Sequence, residues 1–291
     1  MLTYIQAIIL GIVQGITEPF PISSLGHNVL IPNLLGWTNI VNNEPKSQSF
    51  FLTFIIALHV ATALALFVFY RKQWYKLIQG FFSSVKNRRI SNSHERLIWL
   101  LIIATIPAGI TALALEKILR SQFAKPLAAA VFLVVNGLIL LAGDAYVRKQ
   151  SERRKDFNLN STVAHTAKSI TKTRAGLIGV AQVFALIAGI SRSGITMVSG
   201  LYSGLDYEDS ARFSFLLATP IILAAGIYKL PDLIGHNGNG VRGQVLVGAI
   251  LAFLACYLSV RFLDKYFQTK RLKPFAVYCI AFGLFMVFFN L

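Results

Sequence analysis

The chain predicts an all-α integral membrane protein: six transmembrane helices plus two re-entrant helix-loop-helix segments, arranged as an inverted-topology repeat. Three observations predict it. Of its 291 residues, 55% are hydrophobic and the mean hydropathy is +0.61, too apolar for a soluble domain of that length. Six apolar runs approach the length of about 20 residues that crosses a hydrocarbon core as helix. Two further apolar stretches are interrupted by Gly, Pro and polar residues, and one repeats the other at a fixed offset.

The first interrupted stretch covers about 2 to 36. It makes a poor signal peptide, because no basic region precedes it and its apolar run leads into polar residues instead of a small-residue cleavage site. Within "QGITEPFPISSLGH", Gln14 and Glu18 are four residues apart on one helix face, and Pro19 and Pro21 then end that helix. Ser23, Ser24, Gly26 and His27 follow the break. Ionisable groups at membrane depth are costly and are usually functional.

Three uninterrupted runs come next, at about 50 to 70, 97 to 115 and 127 to 147. The second interrupted stretch, about 175 to 205, holds "AGISRSGITM", and three more runs follow at about 213 to 230, 245 to 262 and 274 to 291. Sliding the chain by 168 positions aligns Gly11 with Gly179, Gln14 with Gln182, Ile22 with Ile190, Ser23 with Ser191, Gly26 with Gly194 and Gly36 with Gly204. A single membrane domain over 1–291 follows, with one half at about 1–147, the other at about 175–291, and a basic loop at 148–174 between them. If each interrupted stretch returns to its own side, each half crosses three times, and an odd number of crossings inverts the second half. Such folds place their sites near the midplane, where broken helices aim their ends at bound ions and charged groups. Non-helical backbone at that depth has to be buried in protein or line a wet cavity.

The formal net charge is +16. Its placement argues against nucleic acid: residues 71–96 carry seven Lys/Arg, 148–174 eight and 263–273 four, against three in 116–126 and one in 231–244. The positive-inside rule makes the first three loops cytoplasmic and sets the C-terminus outside. That basic rim also suits anionic membrane lipids. Cys256 and Cys279 lie inside apolar runs and read as buried thiols, neither a metal site nor a disulfide framework.

In the second copy Ser191, Arg192, Ser193, Gly194 and Thr196 form a short turn between apolar arms. Hydroxyls, helix-start amides and an arginine fork make a cradle for phosphate oxygens, and a pyrophosphate is the expected guest. Paired with the first motif, this string resembles the signatures of the undecaprenyl-diphosphate phosphatase family of the bacitracin-resistance type. That family's first motif is Glu or Gln, three residues, then Glu; its second is P-G-x-S-R-S-x-x-T. The likeness extends to "FLTFIIALHVATALALFVFYRK" and "SARFSFLLATPIILAAG", so it spans most of the chain. Two departures stand out. Gln14 takes the neutral option, leaving Glu18 as the motif's sole carboxylate, and Ala188 replaces the proline that opens the second motif.

The resemblance implies a bacterial cell-membrane enzyme that hydrolyses undecaprenyl diphosphate to undecaprenyl phosphate, regenerating the lipid carrier of cell-wall synthesis. Its partners would be the polyprenyl diphosphate and membrane lipids, with no nucleic acid; a homodimer is compatible with it. Arg192 would grip the phosphates with Ser191, Ser193, Gly194 and Thr196, and Ser23 would assist. Glu18, helped by Gln14, would hold a divalent cation, Mg²⁺ or Ca²⁺, bridging phosphate oxygens. Three nucleophiles stand open: Ser24 with His27 as base, which the reading prefers, direct attack by His27, or an activated water. His59 is the next candidate for a supporting polar contact, whereas His94, His165 and His236 fall in loops. The rival reading, suggested by the inverted repeat, is a polyprenyl-phosphate flippase or an anion transporter.

Overall fold

A computed structural model describes residues 2–37, 50–115, 125–153, 170–234 and 241–291. His165, His236 and most of the basic loop at 148–174 therefore lie outside the described residues. The described chain is all helical, with eleven α-helices and no strand among those residues. In chain order they are α1 (Tyr4–Thr17), α2 (Ser24–Leu34), α3 (Phe50–Phe69), α4 (Arg71–Asn87), α5 (Ser93–Ala114), α6 (Pro126–Arg153), α7 (Lys172–Val183), α8 (Arg192–Tyr202), α9 (Tyr207–Ile234), α10 (Arg242–Tyr266) and α11 (Lys273–Phe289).

Among the described residues four helices, α5, α6, α9 and α10, are long and apolar enough to cross a membrane, and the bent pair α3–α4 adds a fifth when it is counted as one span. Helix α11, 17 residues long, is apolar but shorter. All six uninterrupted runs of the sequence are helical. The stretch read as a loop at 71–96 is not one: α4 occupies most of it, turned 86° from α3. Its cations had hidden an amphipathic period. Trp74, Leu77, Gly80 and Ser84 face inward, and an apolar stripe of Tyr75, Ile78, Phe82 and Val85 faces outward.

Both interrupted stretches fold as helix, break, helix, and their elements keep the offset seen in the sequence. Helix α1 begins at Tyr4 and α7 at Lys172; α2 begins at Ser24 and α8 at Arg192. Each first arm starts on a threonine cap: Thr3 Oγ1 accepts from the Gln6 amide at 3.2 Å, and Thr171 Oγ1 from the Arg174 amide at 3.2 Å. Each second arm starts on a serine cap, with Ser23 Oγ accepting from Gly26 N and Ser191 Oγ from Gly194 N, both at 3.1 Å. Such caps satisfy amides that the first turn leaves unpaired.

The two first arms are also packed alike. Helix α1 lies against α10 and α7 against α5. A methyl group on Gly11 would strike the main chain of Gly248, and one on Gly179 that of Ala104. Backbones brought this close gain dispersion contacts that larger side chains would forbid. A third close crossing joins α6 to α11, where Gly137 meets Ala276 and Gly283 meets Ala130. Helices α3, α5, α9 and α10 complete the frame around both breaks, and Tyr70, at the α3–α4 bend, donates to Asp264 Oδ1 of α10 at 2.9 Å. Cys256 and Cys279 are buried free thiols, as their apolar surroundings predict.

Candidate active site

Glu18 is the residue on which the site is built. It ends α1, because Pro19 and Pro21 cannot continue the helix, and its side chain is only 4% exposed. Arg192 opens α8 and approaches from the other break: its Nη2 donates to Glu18 Oε1 at 2.6 Å, across 174 residues of chain. Glu18 Oε2 accepts from Ser24 Oγ at 2.5 Å and from Gln14 Nε2 at 3.0 Å. The Nε2 of His59, on α3, lies 3.3 Å from the same oxygen, while its Nδ1 donates to Ile55 O at 2.8 Å.

Ser24 reaches Glu18 because Ser23 turns the chain through an uncommon geometry. Ser23 has φ 69°, a positive value that costs a non-glycine residue about 1 kcal/mol or more. At the matching break the positive φ falls instead on Gly189, at 105°, where a Cβ would run into Ala129 O.

These groups share a cavity of about 310 Å³. Glu18, Ser23, Ser24, His59, Gln182, Ser191 and Arg192 form its polar end. Its walls are apolar: Ile55 and Ile56 from α3, Ala108 and Ala112 from α5, and Ile221, Ile222 and Ala225 from α9. Two buried polar atoms on its lining residues, Arg192 Nη1 and Gln182 Oε1, have no hydrogen-bond partner among the described residues. An unpaired buried guanidinium nitrogen is costly unless a ligand or a water supplies the acceptor.

Of the residues picked out from the sequence, Glu18, Ser23, Ser24, His59, Ser191 and Arg192 line this cavity, and Gln14, His27, Ser193, Gly194 and Thr196 are placed elsewhere. Ser193 Oγ donates to Phe20 O at 2.9 Å, so it ties one break to the other and does not face the cavity. Thr196 Oγ1 lies 2.7 Å from both Arg192 O and Ser214 Oγ, a helix-to-helix contact with α9. Gly194 serves through its amide, which pairs with the Ser191 cap. Gln14 stands behind Glu18, its Oε1 taken by Asn28 Nδ2 at 2.6 Å.

His27 is displaced from the expected role as well. Its Nδ1 donates to Ser23 O at 2.8 Å, its Nε2 accepts from Tyr278 Oη at 2.7 Å, and the ring is stacked with Tyr278 and Phe282. Both nitrogens are occupied, and neither meets Ser24. In this geometry the acceptor for the Ser24 hydroxyl proton is the Glu18 carboxylate.

Asn136 was not foreseen. From the middle of α6 its Nδ2 donates to Pro21 O at 3.0 Å and its Oδ1 accepts from Ser191 N at 2.9 Å, so one side chain clasps both breaks. The sequence did carry a signal, a lone asparagine inside "VFLVVNGLILL". A buried amide in an apolar span has to find partners. Asn136→Leu leaves the Pro21 carbonyl and the Ser191 amide unpaired, and a loss of about 2–4 kcal/mol is expected. Thermal unfolding in detergent measures it, and a melting temperature equal to wild type would contradict the clasp.

The cation site expected at Glu18 and Gln14 does not match these donors. Gln14 turns its NH₂ group, not its oxygen, toward Glu18, and both Glu18 oxygens already accept protein hydrogen bonds. Among the described residues no cluster of three or more His, Cys, Asp or Glu is arranged to hold an ion.

Residues 7–285 match the family model described as bacitracin resistance protein BacA. An undecaprenyl-diphosphatase 2 of Frankia alni is 48% identical, aligned over 97% of this chain and 96% of its own length. An undecaprenyl-diphosphatase of Mycolicibacterium paratuberculosis is also 48% identical, over 97% and 95%, and an undecaprenyl-diphosphatase 2 of Chromobacterium violaceum is 44% identical over 99% of both chains. With this match over nearly its whole length, the chain belongs to the bacitracin-resistance BacA family.

Proposed function

We propose a mechanism and a membrane arrangement for a multi-pass membrane phosphatase that hydrolyses undecaprenyl diphosphate to undecaprenyl phosphate and phosphate. The observation that carries the mechanism is the meeting of Arg192 with Glu18 and Ser24 from opposite breaks, beside a guanidinium nitrogen that lacks an acceptor among the described residues. Phosphoryl transfer asks mainly for positioning and charge stabilisation. Arg192 Nη1 takes an oxygen of the terminal phosphate, and the Ser191 hydroxyl supports it. Ser24 Oγ attacks the terminal phosphorus as Glu18 receives its proton, and the bond from that phosphorus to the bridging oxygen breaks. Undecaprenyl phosphate leaves. Glu18 gives its proton to the departing lipid phosphate and is a free carboxylate again. Water then attacks the phosphoserine and loses a proton to Glu18, which returns it to the Ser24 oxygen as that oxygen departs as a hydroxyl, and phosphate is released. The apolar walls of the cavity accommodate the first prenyl units.

Membrane arrangement is part of the same reading. Six spans and two re-entrant hairpins, related as inverted halves, are supported by the constant offset of the paired arms and by the matched crossings at Gly11 and Gly179. The halves run over about 1–147 and 175–291 of one membrane domain, and loop charge puts the C-terminus outside. The divalent cation, Mg²⁺ or Ca²⁺, is carried by the family resemblance alone, and no step above passes through it.

Phosphate release from defined polyprenyl diphosphates by the purified protein, with and without chelator, is the direct test. A cavity between two related halves also fits a carrier; lipid translocation in vesicles without phosphate release would establish that reading and refute the enzyme. Gln14→Glu examines the cation separately. It replaces the NH₂ that faces Glu18 with a second buried carboxylate, and like charges this close need a cation or proton between them. Its melting temperature is expected to rise with added Mg²⁺ more steeply than the wild type's. Equal slopes would mean that no cation enters between these two positions.

A further inference from the structure

We infer that the cytoplasmic end of this protein carries a binding site for the phosphate headgroup of an anionic phospholipid, between α4, α5 and α7. It is separate from the catalytic cavity and independent of the reaction proposed there. The site is a second cavity, about 370 Å³, whose lining includes Arg88, Arg89 and Lys172 together with Val85, Trp99 and Ile103. None of the three cations has an ion-pair partner among the described residues.

Local chemistry explains why the two arginines are left unpaired. Between positions 71 and 96 the chain has seven Lys/Arg and one carboxylate, Glu95. That carboxylate is buried and used up locally: Oε1 accepts from Ser83 Oγ at 3.0 Å and Asn92 Nδ2 at 2.9 Å, and Oε2 accepts from the Ser91 amide. The positive charge around the cavity is therefore available to an external anion. Arg88 is also brought into place by an unusual backbone, closing α4 at φ 51° where a glycine is the common choice.

The depth of the cavity selects a lipid as the source of that anion. Helix α4 turns 86° from the α3 span and exposes Tyr75, Ile78, Phe82 and Val85 along one side. A helix so turned lies in the interface with its apolar stripe among acyl chains and its cations at headgroup level. Val85 belongs to both the stripe and the cavity, so the two are continuous. Trp99 marks the same level: its ring lines the cavity and its Nε1 donates to Ser84 Oγ at 2.9 Å, the posture of an interfacial tryptophan. A phosphate at Arg88, Arg89 and Lys172 would thus have its glyceride chains directed along Val85 and Ile103.

The test uses the full-length protein, purified and titrated with phosphatidylglycerol or phosphatidylcholine, with bound lipid counted by native mass spectrometry. Removing a membrane-surface cation weakens anionic-lipid binding about fivefold, so R88A/R89A/K172A is expected to lose on the order of a hundredfold in phosphatidylglycerol affinity. All three side chains are exposed, and the variant is expected to keep the wild-type melting temperature. K149A/K265A/K270A, which removes equal charge elsewhere at the same end, is expected to lose clearly less, because it removes only the general surface attraction and no headgroup contact. Wild-type binding by the first variant, or an equal loss in the second, would overturn the site. Full displacement of the lipid by millimolar inorganic phosphate would overturn its assignment to a lipid.

Discussion

Arg192→Ala is expected to lower phosphate release by about 10³-fold or more, the range over which an arginine on a transferring phosphoryl group acts. Two effects combine. The variant loses the guanidinium nitrogen that has no acceptor among the described residues and is free for a ligand in the cavity, and it strips Glu18 of its 2.6 Å charge partner. Glu18 is only 4% exposed on its side chain, so removing its arginine is expected to cost about 3 kcal/mol of stability even with Ser24, Gln14 and His59 still beside it. Melting temperature must accompany the kinetics for that reason. Arg192→Lys separates the two effects. A lysine retains the charge beside Glu18, but its single nitrogen cannot hold Glu18 and a phosphate in the planar fork that arginine provides. Near-wild-type stability with phosphate release lowered by about 10²-fold is expected. A folded Arg192→Ala protein with full activity would remove the basis of the proposed site.

Ser24→Ala is expected to lower phosphate release by about 10⁴-fold, the scale at which loss of a covalent nucleophile acts. The structural cost should be small: alanine suits the first turn of α2, and one hydrogen bond to Glu18 is lost, about 1 kcal/mol. Rapid acid quenching after mixing with terminally labelled substrate tests the chemistry directly. Wild type should hold label that survives acid, as phosphoserine does, and Ser24→Ala should hold none. An acid-labile adduct would assign the attack to His27, whose nitrogens here are occupied by Ser23 O and Tyr278 Oη. No adduct together with undiminished activity in Ser24→Ala would assign it to water.

The two breaks were legible because proline, glycine and serine interrupt an apolar run unmistakably. Their common ancestry of form was legible because the offset recurs in residue type, and the helix starts at Ser24 and Arg192 reproduce it. Helix α4 was missed for a definite reason: its cations dominate the composition of that stretch, and the period of Trp74, Leu77 and Ser84 was outweighed by charge. Within the site, residue type identified Glu18 and Arg192 but could not tell facing from supporting. Ser191, Ser193 and Thr196 are similar in character and close in sequence, yet the first lines the cavity, the second holds Phe20 O and the third holds Ser214. A turn of helix rotates side chains by about 100° per residue, so neighbours diverge as soon as the helix begins.

What the sequence determined by itself is what depends on local interruption and on totals: an apolar helical chain, two broken segments of one design, and a carboxylate and an arginine at the breaks. Only the tertiary structure decided which groups touch. Asn136 clasping Pro21 to Ser191, His59 beside Glu18, and Glu18 instead of His27 at the Ser24 hydroxyl are contacts between segments up to 115 residues apart. They arise because buried polar groups must find partners wherever packing brings elements together, and no spacing along the chain records where that will be.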